Sequence, residues 1–205
     1  LHDGKQYLIE KYTIHNVTTE NFDKQDKLNA NIQNTPLLGM GLSKSAPNPN
    51  PNSKKSFPAL LNVPKELKVI IRENTSEKQG IYPGRRYLND VFNFETLRDN
   101  LKKYKILHLA THGVFDSTSP EQSYILMGDG TPLTPIMISS LTGLNDIHLV
   151  VLSACQTALA TSSNHNESQD GVEINTLAYE FMNRGAKSVI ASLWIVDDPS
   201  TAKLM

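Results

Sequence analysis

The sequence contains a single cysteine, almost no net charge and no long apolar run. One cysteine among 205 residues excludes an internal disulfide framework and a cysteine-based zinc site. Lys and Arg total 20 against 21 Asp and Glu, so the net charge of −1 gives no basic surface for nucleic acid or an anionic membrane. No stretch approaches the ~20 apolar residues of a membrane-spanning helix. A free thiol suits a reducing compartment, so we expect a cytoplasmic protein that binds neither nucleic acid nor membrane.

Other common sequence signals are missing as well. No glycine-rich phosphate loop follows a strand, neither G-x-G-x-x-G nor the P-loop pattern, which disfavours a nucleotide-binding domain. The amino terminus lacks the basic start and apolar core of a secretory signal. No repeat of ~34 or ~40 residues indicates a helical solenoid. We expect no cofactor and no metal site.

The length and composition fit one globular domain over residues 1–205. The chain begins at Leu1 and ends at Met205 abruptly, so we expect it to be a fragment of a longer protein. Residues 43–58 are rich in proline and asparagine, and residues 161–170 are polar or small. Both segments are predicted to be flexible loops.

Three apolar runs predict strands that are buried on both faces, and each ends in polar residues: residues 105–113, 149–155 and 188–194. Helical patterns separate them, so crossover connections would make the strands parallel and adjacent. The sequence therefore predicts an α/β fold, a three-layer sandwich with a mostly parallel sheet. Ligands bind at the carboxyl edge of such a sheet.

Apolar periodicity and turn residues predict the remaining elements. Helices are predicted at residues 64–73, 93–104, 134–141 and 170–185, and extended segments or hairpins at residues 5–17, 37–42, 81–91 and 123–133. The helix at 170–185 has the clearest pattern, with a capping pair formed by Asp170 and Glu173 and Gly185 as its terminator.

Cys155 is the candidate nucleophile because it follows an apolar strand, where small and polar residues begin. A thiol reacts as thiolate, and a nearby imidazole favours that form. His112 ends the preceding predicted strand 43 residues earlier, so one crossover would bring the two residues together. The alternative is that Cys155 is an inert buried side chain, as lone cysteines often are.

The chain has five further histidines: His2, His15, His108, His148 and His165. His108 lies inside its predicted strand and is interpreted as a hydrogen-bonded core residue. His112 is assigned the general base and acid role, with its orienting partner left open. The N–H groups of Gly113 and Cys155 are the candidate oxyanion donors. Asp198 could bind a cationic substrate side chain, or simply cap a helix that starts with Pro199.

Five segments carry a family resemblance: HDGKQYLIEKY at residues 2–12, HLATHG at 108–113, LVVLSACQTA at 149–158, LAYEFMNRGAKSVIASLW at 177–194 and VDDPSTAKLM at 196–205. Together they resemble the CHAT domain, a caspase-like cysteine peptidase family that is related to separase and is usually attached to tetratricopeptide repeats. The caspase spacing of about 50 residues from histidine to cysteine is close to the value here.

The resemblance implies the caspase and separase fold, a dyad of His112 and Cys155, and cleavage of protein substrates. It aligns Gly113 with the glycine after the family's histidine, and Asp198 with an acidic position in relatives that prefer a basic residue before the cut. Ala158 stands where many relatives have glycine, and the family's helix and sheet elements beyond residue 205 are missing from this sequence. The alternative function is a catalytically silent, caspase-like interaction module.

Overall fold

The computed structural model describes residues 34–51, 53, 55–114, 116, 119–156 and 170–191. The backbone divides after residue 30, and all the described residues belong to the unit formed by residues 31–205. Side chains are not described at positions 120, 154–156 and 170–176. The strand predicted at residues 5–17 lies outside the described residues and stays a prediction. The single domain predicted over residues 1–205 extends beyond them and also stays a prediction.

The described residues form eight strands and four helices. The strands are β1 (Leu37–Gly41), β2 (Ile71–Arg72), β3 (Tyr82–Leu88), β4 (Ile106–Val114), β5 (Tyr124–Leu126), β6 (Pro132–Leu133), β7 (Leu149–Gln156) and β8 (Val189–Ala191). The helices are α1 (Val63–Ile70), α2 (Phe94–Asn100), α3 (Pro135–Ser140) and α4 (Asp170–Asn183). Short 3-10 turns occupy residues 89–91, 101–103, 120–122 and 144–146.

The strands form one mostly parallel sheet in the order β2-β3-β1-β4-β7-β8. Every pairing along this path is parallel. Apart from the short β2, the strands follow the order 2-1-3-4-5 that is typical of doubly wound α/β domains. The prediction that the strands containing His112 and Cys155 are parallel neighbours is confirmed, as is the adjacency of the Cys155 strand, β7, to β8.

An antiparallel hairpin adds to the carboxyl end of β4. Strands β5 and β6 pair around the turn at residues 127–131, as predicted, and Gly113 and Val114 of β4 pair with Ile125 and Tyr124. This pairing extends β4 to Val114, one residue beyond the predicted end. His112 therefore lies inside the strand, two residues before its end.

Helices cover both faces of the sheet, which confirms the α/β sandwich. Leu107 and Leu109 belong to the larger core, which also contains residues of α2, α3 and α4. Ala110 belongs to a smaller core with Val63 and Leu67 of α1. This alternation follows from the period of two residues along a strand. The architecture is compatible with a caspase-like fold.

Helix α1 approaches β1 closely because β1 has glycine where a side chain would intrude. A Cβ atom at Gly41 would lie 2.5 Å from Cγ1 of Val63, and one at Gly39 would lie 3.1 Å from Cδ2 of Leu67. The apolar face of α1 therefore packs directly on the backbone of the sheet. This close packing fixes the start of the helix near the carboxyl end of β1.

Most predicted elements agree with the structure, and the differences have physical causes. The helix predicted at residues 64–73 ends at Ile70, because Ile71 and Arg72 pair with Tyr82 and Pro83 as a strand. The predicted turn and extension at 81–91 is β3. The strand predicted at 188–194 is present over Val189–Ala191, and residues 192–194 lie outside the described residues. Helix α4 ends before Gly185, whose φ of 107° confirms its role as the terminator.

Candidate active site

The site is defined by the pairing of β4 with β7. The two strands pair in parallel from Ile106 with Leu149 to Gly113 with Gln156, and His112 lies directly opposite Cys155. Neighbouring strands are about 4.8 Å apart, and register partners belong to the same face of a sheet. Positions 112 and 155 therefore lie side by side at the carboxyl edge. This neighbourhood was predicted from the sequence, whereas the orientation of the sulfur toward a cleft stays a prediction.

The imidazole of His112 is held by a backbone carbonyl. Its Nε2 atom lies 2.8 Å from the carbonyl oxygen of Pro58. A carbonyl oxygen only accepts hydrogen bonds, so Nε2 carries the proton and donates it. In the neutral ring, Nδ1 is then the basic nitrogen. Pro58 thus fills the position of orienting partner, which the sequence left open.

Phe57 covers the ring of His112. The two ring centroids are 5.1 Å apart with an interplanar angle of 32°, and only 1% of each residue is exposed. Phe57 also packs with Leu42, Ala46 and Leu126, and we call these four residues the Phe57 cluster. The histidine is therefore shielded from water on this side, although the sequence predicted an edge position at the end of a strand.

The segment that carries Phe57 and Pro58 is closed by a bridge within it, and its start is held by the turn that follows β3. Phe57 and Ala46 form an antiparallel bridge with N–H to O distances of 2.8 and 3.1 Å. Near the start of the segment, Oδ1 of Asn89 accepts hydrogen bonds from the backbone N–H groups of Ser43 and Lys44 and from the Ser43 hydroxyl. The flexibility predicted for residues 43–58 stays a prediction, but these contacts hold the start of the segment against Asn89 and join its two ends to each other.

A second histidine lies on the same face of β4. His108 is four residues before His112, and its Nε2 lies 2.7 Å from Oε1 of Glu66 in α1. Only 2% of His108 and 3% of Glu66 are exposed. The interpretation of His108 as a hydrogen-bonded core residue is therefore confirmed. The sequence did not identify Glu66 as its partner, because the composition of that helix resembles a solvent-exposed surface.

The Tyr124 phenol and the candidate metal ligands of the described residues also bear on the chemistry of the site. Burial raises the pKa of the Tyr124 phenol, which packs against the Phe57 cluster, so this group stays protonated and is not an alternative base. Within the described ranges, no group of three or more His, Cys, Asp or Glu residues could hold a metal ion. His112 is the histidine that is paired in register with Cys155.

The remaining predicted site residues have different outcomes. Gly113 pairs with Gln156 of β7 and with Ile125 of β5, so it lies where three strands meet. The oxyanion roles of the Gly113 and Cys155 amides stay predictions. Asp198 and the polar loop at residues 161–169 lie outside the described residues. Phe57 and Pro58 were missed as parts of the site; the only signal was an aromatic residue beside proline at the end of a polar segment.

A comparison with protein-family models identifies the family of this chain. The family model of the CHAT domain matches residues 1–205, the whole chain. The chain belongs to the CHAT family. A search of the curated proteins found no match. The CHAT domain is a caspase-like, peptidase-related domain. In this CHAT chain, a histidine and a cysteine are paired in register on neighbouring strands. No helix in the described part of the chain is long and apolar enough to cross a bilayer.

Proposed function

We propose that this CHAT domain is a cysteine endopeptidase that cleaves protein substrates through His112 and Cys155. The observation that carries the proposal is the register of β4 and β7, which pairs these two residues, together with the Pro58 carbonyl on Nε2 of His112. That hydrogen bond leaves Nδ1 as the basic nitrogen. A base beside a thiol is the minimum requirement for an activated cysteine nucleophile.

The reaction follows from these groups. Nδ1 of His112 accepts the thiol proton, and the Pro58 carbonyl stabilises the imidazolium that forms. The thiolate attacks the carbonyl carbon of the peptide bond, and the N–H groups of Gly113 and Cys155 are the proposed donors to the developing oxyanion. His112 then gives its proton to the leaving amine, which leaves a thioester on Cys155. Water, deprotonated by His112, hydrolyses the thioester and restores the thiol.

Several finer features belong to the same proposal. Asp198 would bind a basic side chain of the substrate, and the segment at residues 161–170 would gate access to the site. Tetratricopeptide repeats in a longer protein would act as regulatory partners. A cytoplasmic location is supported by the single free cysteine, because a reducing compartment preserves the thiol.

The proposal is tested with an electrophilic peptide probe that reacts with thiols. Because Cys155 is the only cysteine, intact mass measurement should find one adduct on the native chain and none on Cys155→Ala. His112→Ala should lose labelling when native and regain it with iodoacetamide in denaturant, which verifies that the thiol is present. Labelling of Cys155→Ala, or equal labelling of native His112→Ala, would contradict the proposal.

A second candidate function is supported by the burial of His112 beneath Phe57 and Pro58. A covered histidine is also compatible with a silent domain that binds partners and performs no chemistry. Two measurements separate the two functions. If the domain is only a binding module, the Cys155→Ala variant keeps its affinity for the partner, and the unmodified chain is not labelled by the probe.

A further inference from the structure

The buried pair formed by Glu66 and His108 has no part in the chemistry proposed above. Both side chains are almost completely buried, and they meet at 2.7 Å between an ionisable carboxyl and an ionisable imidazole. Burying two such groups carries a large desolvation cost, and replacing a buried pair with apolar residues is often neutral or stabilising. Stability alone is therefore a weak reason for this pair. A directional hydrogen bond does provide a fixed geometry between the two elements that it joins.

The pair joins α1 to β4, the two elements on which the geometry of His112 depends. Glu66 lies in the first turn of α1, and its backbone N–H donates to the carbonyl of Asn62 at 2.9 Å. The N–H of Val63 in turn donates to the carbonyl of Leu60 at 3.3 Å. These bonds form a continuous connection from Glu66 back toward Pro58. The opposite partner, His108, lies on the same strand and the same face as His112.

One connection runs along the chain from Glu66 back to Pro58, and the other runs along β4 from His108 to His112. The hydrogen bond between Pro58 and His112 joins their far ends. The Cα atoms of His108 and His112 are separated by about 13 Å along the strand, so the pair does not contact the candidate dyad. Van der Waals packing of α1 on Gly39 and Gly41 sets the distance from the helix to the sheet. Such packing alone permits small sliding movements along the strand. The hydrogen bond between Glu66 and His108 forms at only one position of α1 along β4, so it opposes this sliding.

We propose that Glu66 and His108 are positioning residues that hold α1 in one register on β4, and thereby hold the Pro58 carbonyl against Nε2 of His112. This inference rests on the proposed function, since its effect is on the basicity of His112 toward Cys155. When the pair is removed, the Pro58 carbonyl is no longer fixed. The His112 tautomer with the proton on Nε2 and a basic Nδ1 is then no longer favoured over the other tautomer. The Cys155 thiol then returns toward the reactivity of an ordinary cysteine.

The inference is tested by measuring the rate of Cys155 alkylation by iodoacetamide against pH, with urea unfolding measured for every variant. Glu66→Met removes the hydrogen bond at similar side-chain length, whereas Glu66→Gln keeps an acceptor for His108. The double variant Glu66→Met with His108→Leu replaces both partners and leaves no buried polar group alone. Thr111→Val is the matched control, because it removes another buried hydrogen bond of β4, to the Leu126 carbonyl, on the opposite face.

Glu66→Met should slow alkylation by about tenfold near pH 6.5, which corresponds to a rise of about one unit in the apparent thiol pKa. Glu66→Gln should stay within about twofold of the native rate, because its hydrogen bond persists. The double variant should recover stability toward the native protein and still react slowly, which a purely structural role does not predict. Thr111→Val should lose stability and keep the native pH profile.

Two results would overturn the inference in distinguishable ways. If Glu66→Met and the double variant keep the native profile while His112→Ala loses it, the candidate dyad stands and the positioning role is wrong. If His112→Ala itself has the native profile, the proposed function fails and the positioning role fails with it. A variant that does not fold is identified by its urea curve, and the double variant and Glu66→Gln still decide the outcome.

Discussion

Replacing His112 with alanine should lower kcat/KM for a cleaved peptide by about 100- to 10,000-fold, the usual contribution of a positioned general base and acid. The loss has two origins. The thiol loses the base that removes its proton, and the leaving amine loses its proton donor. His112→Gln should lose as much activity. Glutamine can still donate a hydrogen bond to the Pro58 carbonyl, but it has no basic nitrogen to accept the thiol proton. The measurement is steady-state hydrolysis of a fluorogenic peptide found by library screening.

His148→Gln is the control for this experiment. His148 directly precedes β7, at the amino end of the strand whose carboxyl end holds Cys155, and its N–H donates to the Lys105 carbonyl at 2.7 Å. Removing its imidazole should change kcat/KM by less than about twofold, because surface substitutions away from the site have small effects. Equal losses in the His112 and His148 variants would contradict a specific catalytic role for His112.

Replacing Phe57 with alanine should lower the free energy of unfolding by about 3 kcal/mol, the common cost of truncating a buried phenylalanine. It should also lower kcat/KM by about tenfold. Phe57 precedes Pro58, and its ring packs against His112, so its removal loosens both the carbonyl and the imidazole. Misplacing a catalytic group by a fraction of an ångström is enough for such a loss. Urea unfolding and peptide hydrolysis measure the two effects.

Leu61→Ala serves as the matched truncation, because Leu61 lies three residues after Pro58 and is 79% exposed. It should cost less than about 0.5 kcal/mol and leave kcat/KM unchanged. Phe57→Leu should recover part of both losses, since it refills most of the cavity. An increase in kcat/KM for Phe57→Ala would contradict the positioning of His112 by Phe57 and would identify this side chain as a block over the site.

The main features of the fold were predictable because they depend on strong local patterns. The apolar runs before His112 and Cys155 are too short for helices and too apolar for exposed strands, so buried parallel strands are the natural structure. Their spacing allows one crossover, and the register then brings the two residues together. The helix that ends before Gly185 was predictable for similar reasons, since its apolar stripe and terminator agree.

The surroundings of His112 were not predictable, because they depend on contacts that leave little trace in the sequence. A backbone carbonyl such as that of Pro58 is present at every residue, so residue type does not identify it as an acceptor. The composition of residues 43–58 predicted a flexible loop and gave no sign that tertiary contacts bury Ala46 and Phe57. Glu66 has the composition of an exposed helix residue, and its burial depends on His108 lying across from it. Local composition assigned Ile71 to a helix, but its pairing with β3 overrides that propensity and makes it part of a strand.

The central claim is that His112 acts as a base toward Cys155 across the pairing of β4 with β7. The most direct test is titration of the Cys155 thiolate by its ultraviolet absorbance, in the native chain and in His112→Gln. In the native chain the thiolate should persist well below the ordinary cysteine pKa of about 8.5, and in the variant the thiol pKa should return to about that value. A native thiol that titrates near 8.5, with no change on removal of the imidazole, would contradict it.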